Sequence, residues 1–133
     1  MNPALPENGK SSATGKSVIV VDDDPAMRDL LKRQLSSLGY KVRCAENSKE
    51  VFTLAHEAGT LDLLIVDIFM PDMDGRDVAR WMLAGYPKTK VLFISGAGQL
   101  SLSPAVLGRN AAFLHKPFTA SQLEQHLASL LAN

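Results

Sequence analysis

Three runs in this chain are apolar without a break yet too short to be helices: VIVV within SVIVV (Ser17–Val21), LLIV (Leu63–Val66) and VLFI (Val91–Ile94). An amphipathic helix spaces its apolar residues three or four apart, and a strand with one wet face alternates. Short continuous runs predict strands covered on both faces, the condition of a parallel sheet in an α/β fold. KVRCA (Lys41–Ala45) alternates and suits a strand nearer an edge, and AFL (Ala112–Leu114) completes five.

Stretches of helical period lie between them. Asp24-Pro25 predicts a cap with proline at the first helical position, followed by Met27, Leu30, Leu31, Leu35 and Leu38 on one face and closed by Gly39. Ser48 is expected to cap a second helix carrying Val51, Phe52 and Leu54. Gly75 is expected to precede a third, with Val78, Trp81 and Met82 as packing residues. Ser103-Pro104 predicts a short fourth, and Ala120 to Leu131 the last. Residues 1–16 are rich in Pro, Gly, Ser and Asn without periodicity. The expectation is a disordered tail, with 17–133 as one domain. Strands and helices in this alternation imply an open five-stranded parallel sheet with helices on both faces. Of the two common orders, 3-2-1-4-5-6 and 2-1-3-4-5, five strands fit the second, the flavodoxin-like one.

Composition narrows the function. Fourteen acids balance fourteen bases, so there is no net field to draw nucleic acid or an acidic membrane. Cys44 stands alone and has no internal disulfide partner, which suits a reducing compartment. No run has the length of a membrane span, and the N-terminus lacks the apolar core of a signal peptide. A cytoplasmic protein is expected.

In the 2-1-3-4-5 order the first and third strands are neighbours, and ligands bind beyond their carboxyl ends. The first strand runs into Asp22 and Asp23, the third into Asp67, the fourth into Ser95 and the fifth into Lys116-Pro117. Three carboxylates converging on one edge repel each other unless a cation sits among them. All-oxygen ligands with room for water and phosphate describe a Mg²⁺ site. With Lys116 and Ser95 opposite, the set suits stabilisation of a phosphoryl group in transfer, and the central acid, Asp67, is the one placed to attack. Singly, each residue has a plainer reading. Asp24 is a helix cap; Asp72, Asp74 and Gly75 are turn residues; Ser95 is a turn serine; Lys116 lies along a sheet edge. The plain readings leave unexplained why all fall at successive strand ends.

VVDDDP, IVDIFMPDMDG, FISG and HKPF, in this order and spacing, closely resemble the receiver domain of two-component response regulators, over Ser17 to Leu131. A chemotaxis receiver is itself a type example of the 2-1-3-4-5 order, so that order is not independent of the resemblance. The resemblance implies that Asp67 is the phosphoacceptor and that Asp22, Asp23, Asp67 and the backbone carbonyl of Phe69 bind Mg²⁺. It makes Ser95 the switch hydroxyl, Phe113 the switch aromatic and Lys116 the phosphate-contacting lysine. It also implies a cis bond between Lys116 and Pro117. The phosphoryl donor would be a histidine kinase or a histidine phosphotransfer protein, and the readout a downstream protein effector. The chain would be a signalling switch that catalyses only its own phosphorylation and dephosphorylation, and not otherwise an enzyme.

Three features depart from the pattern. Phe113 lacks the hydroxyl of a tyrosine. QLSLSPAVLGRN carries Pro104 and Gly108 where a signalling helix is expected. Phe69 and Ala97 are apolar and offer nothing to orient an attacking water. The stretch from VLFISGAG to AFLHKPFT is also similar to receivers of hybrid histidine kinases. No output domain is expected after the last helix, and no direct binding to nucleic acid. A phosphatase of the haloacid dehalogenase type is the competing reading: Asp22 and Asp24 satisfy its DxD, but Ala26 stands where Thr or Val belongs. A degenerate receiver that binds partners without phosphorylation conflicts with the complete set of acids, serine and lysine. His115 has no second ligand at metal spacing.

Overall fold

The computed structural model describes residues 15–96 and 110–132. Five strands, β1 (Ser17–Val21), β2 (Lys41–Ala45), β3 (Leu63–Asp67), β4 (Lys90–Ser95) and β5 (Ala111–His115), form one parallel sheet in the order β2-β1-β3-β4-β5. The register runs Val18 beside Leu63, Leu63 beside Lys90 and Val91 beside Ala111, so the carboxyl ends of the strands share one edge. β3 and β4 run one residue further than their apolar runs. Asp67 and Ser95 are thus the last residues of their strands, where backbone pairing still fixes their direction.

Four helices are described: α1 (Pro25–Ser37), α2 (Ser48–Ala58), α3 (Gly75–Gly85) and α4 (Ala120–Leu131). Because side chains alternate along each strand, the sheet feeds two cores. On one face Val18, Val20, Leu63, Ile65, Leu92 and Ile94 pack against Leu31 and Leu35 of α1 and Leu123, Leu127 and Leu130 of α4. On the other, Ile19, Val21, Leu64, Val66, Val91 and Phe93 meet Val51 and Ala55 of α2 and Val78, Ala79 and Met82 of α3. β2, at one edge of the sheet, is the strand whose sequence alternates, and most of it is only half-buried.

The structure changes three local expectations. α2 is capped by Asn47, whose side chain accepts from the Glu50 amide, while Ser48 is its first helical residue. Gly75 likewise opens α3, with Asp74 as cap. Trp81 is half-exposed, 6.2 Å from the exposed Phe52 ring of α2, and is not a core residue. Of the expected tail only Gly15 and Lys16 are described: the Gly15 amide donates to Gly39 O at 3.0 Å, and Lys16 O accepts from the Lys41 amide at 2.8 Å. The rest of that segment, Ala97, and the helix expected after Ser103 lie outside the described residues.

Candidate functional site

At the end of β1, Asp22 is buried and turns back on its own loop. Its Oδ1 accepts from the Asp24 amide at 2.9 Å, and its amide donates to Ala45 O on β2 at 3.3 Å. Asp24 caps α1 by accepting from the Ala26 amide, as Asp-Pro predicted, and so serves the helix as a structural group. Asp23 is exposed beside it. One strand over, Asp67 is also buried and its Oδ1 accepts from the Phe69 amide at 3.1 Å. Asp22, Asp23 and Asp67 each offer a carboxylate oxygen within 4.8 Å of the other two.

Lys116 reaches this cluster from the far edge of the sheet. Its Nζ donates to Asp22 Oδ2 at 3.1 Å and to Asp67 Oδ2 at 3.3 Å. Its own amide is pinned to Ser95 O at 2.8 Å, and the following bond to Pro117 is cis. Ser95 is fully buried at the end of β4. The structure therefore brings Asp22, Asp23, Asp67, Ser95 and Lys116 to one edge of the sheet. Phe113 sits two residues back on β5, half-buried, its ring edge-on to His115 at 4.5 Å. Phe69 is half-exposed at the mouth.

The charges do not balance. Burial pushes the Asp67 carboxyl up from its ordinary range and Asp22 adds to this, against the pull of Lys116. Burial alone would lower the Lys116 ammonium, but Asp22 and Asp67 outweigh it and hold it above its ordinary value. Two unit charges at the 4.8 Å spacing repel by about 3–4 kcal/mol at an effective dielectric of about 20. One ammonium does not offset three carboxylates, and the residual charge favours a cation. The donors are all hard oxygens, the ligand type that Mg²⁺ takes, so Asp22, Asp23 and Asp67 are the side chains that would hold such an ion.

Some contributors were not legible in the motifs. Gly75 presses against the site from behind: a Cβ there would lie 2.2 Å from the Asp67 carbonyl oxygen. Its amide donates to Ile68 O, and Phe69 bridges to Asp74, so the loop after Asp67 closes as a narrow hairpin. Asp72, at the loop's tip, accepts from the Ser48 amide and hydroxyl at 3.3 Å each. Asp74 is held by the Arg76 guanidinium, whose hydrogen bond keeps that carboxyl below its usual range. Arg28 reaches back from α1 to the Asp22 carbonyl at 2.7 Å. Among the described residues no helix is long and apolar enough to cross a membrane.

A family model for the response regulator receiver domain matches residues 18–128. The response regulator receiver protein CpdR of Brucella abortus is 32% identical over 117 residues, which are 87% of this chain and 97% of CpdR. The response regulator MprA of Mycolicibacterium vanbaalenii is 32% identical over 115 residues, 86% of this chain but 49% of MprA; the chain spans about half the length of that relative. The crystal structure of the receiver domain from the hybrid histidine kinase CckA aligns with a TM-score of 0.72 at 30% identity, over 86% of this chain and 98% of that one.

Proposed function

We propose, for a chain that belongs to the response regulator receiver domain family, that Asp67 takes a phosphoryl group from the phosphohistidine of a sensor kinase or phosphotransfer protein and thereby resets a protein-binding surface. The observation that carries this reading is the Lys116 ammonium held between two buried carboxylates from neighbouring strands. An Asp67 oxygen attacks phosphorus, the O–P bond forms, and the P–N bond breaks with its electron pair leaving on the imidazole. Lys116, already 3.3 Å from Asp67, follows the new charge onto a phosphoryl oxygen, and the Ser95 hydroxyl donates to another. Asp22, Asp23, Asp67 and the Phe69 carbonyl are the groups that would hold Mg²⁺, which when bound neutralises charge on the phosphoryl group.

The readout follows from the same contacts. When Lys116 and Ser95 turn to the phosphoryl group, the ends of β4 and β5 shift, and Phe113 moves with them as the switch aromatic. We read the chain as a cytoplasmic switch for a protein effector, binding no nucleic acid itself and acting on no other substrate. Incubation with acetyl phosphate and Mg²⁺ followed by mass spectrometry tests the assignment. A labile gain of one phosphoryl group, lost in Asp67→Asn, is expected. Steady turnover of phosphate esters would favour a phosphatase, and an inert protein would favour a partner-binding domain without phosphorylation.

A further inference from the structure

Arg28 sits in the first turn of α1, where a cation opposes the helix dipole. No acidic side chain shares that turn, and the adjacent carboxylates of Asp22 and Asp23 are near enough in sequence to invite an ion pair. The guanidinium takes none of them. Its Nη1 donates instead to the backbone carbonyl of Asp22, at 2.7 Å and six residues back along the chain. A short charge-assisted bond to a carbonyl fixes backbone, whereas a pair with a carboxylate would occupy a ligand oxygen. The turn is then closed on every side. Asp22 N is bound to β2, Asp22 Oδ1 holds the Asp24 amide, and Asp22 O is held by Arg28. Arg28 O in turn lies 3.9 Å from the Cys44 thiol, which ties this part of α1 to β2.

We propose that Arg28 is a positioning residue for the acidic turn: it fixes the backbone of Asp22 and Asp23 so that both carboxylates face the cation site, while taking none of their oxygens itself. The inference rests on the Mg²⁺ reading above but makes a prediction of opposite sign to simple electrostatics. A cation beside the site acts, as a charge, against Mg²⁺ binding, so removing it should tighten binding. As a clasp it pre-orders the ligands, so removing it should loosen binding.

Arg28→Met keeps much of the side chain's length and deletes both charge and donor; Arg28→Lys keeps the charge and a single donor group. Mg²⁺ affinity is read by isothermal titration, and amide hydrogen exchange at Asp23 and Asp24 in metal-free protein reads the turn directly. Thermal melts verify that both variants are folded. The expected result is Mg²⁺ binding about tenfold weaker in Arg28→Met, the scale of losing a group that orients a metal ligand. Exchange at the two amides should be faster without metal, and Arg28→Lys should fall between. Equal or tighter Mg²⁺ binding in Arg28→Met, with unchanged exchange, overturns the proposal. A wild type that binds Mg²⁺ but accepts no phosphoryl group overturns the function proposed above and leaves the clasp standing.

Discussion

Replacing Gly75 by alanine tests how closely Asp67, the proposed phosphoacceptor, is backed by α3. The added Cβ would lie 2.2 Å from the Asp67 carbonyl oxygen, 2.9 Å from its carbon and 3.0 Å from the Ile68 Cα. All three are backbone atoms and cannot rotate away. Ordinary contact begins at 3.4 Å, so the start of α3 and the end of β3 must part by more than an ångström. Overpacking of this kind costs about 1–3 kcal/mol, and a better helix former at the first turn returns a fraction of a kcal/mol. A net loss of about 2 kcal/mol lowers the melting temperature of a domain this size by about 8 °C. The nearest displaced atoms belong to Asp67, the residue proposed to attack, and an ångström of misplacement costs about a hundredfold in rate. Gly85, at the other end of the same helix, would carry a methyl group with nothing within 4 Å of it and serves as control. Thermal melts and the rate of phosphorylation by acetyl phosphate are measured for both. Gly75→Ala behaving like Gly85→Ala in both assays would refute the reasoning.

Three further outcomes are expected. In metal-free protein Asp67→Asn should melt higher than wild type at neutral pH, because the raised Asp67 pKa means the native state loses stability as pH rises from 3.8 through the folded value; the difference should vanish below that window, and a gap independent of pH would contradict it. Lys116→Ala should fold, yet show little beryllofluoride-dependent capture of its partner, since the ammonium couples β5 to the acids; capture equal to wild type would make Lys116 merely structural. Phospho-Asp67 should decay slowly unaided, since the half-exposed Phe69 offers water no hydrogen bond; Phe69→Asn should speed decay by at least about tenfold, and a fast wild type left unaccelerated would contradict this.

The sheet was legible because its three inner strands are written as runs that double burial explains, and β2 as an alternation that suits an edge. The ends were less so. Asp67 and Ser95 are polar and break the runs, but they still belong to the ladder. Ser48 and Asn47 are both good caps, and what decides between them is Asp72, which draws on Ser48 from 24 residues away. Trp81 fits the period of α3 but sits at the margin of its apolar stripe, where period alone cannot separate buried from exposed. The acids, Ser95 and Lys116 could be placed because parallel topology sends all strand ends to one edge. Gly75 and Arg28 could not: each acts on backbone carbonyls, which leave no mark in a side-chain pattern.

The Lys116 bridge spans 94 positions to Asp22 and 49 to Asp67. A ribosome making this chain therefore produces both acids long before the ammonium that reconciles them. Until residue 116 has emerged, bringing the ends of β1 and β3 together places two buried carboxylates side by side without their counterion. Parallel strands also need their crossovers completed before they pair. Both effects delay the same event, so in a nascent chain the acid cluster is completed only when the last strand docks and brings Lys116 to it.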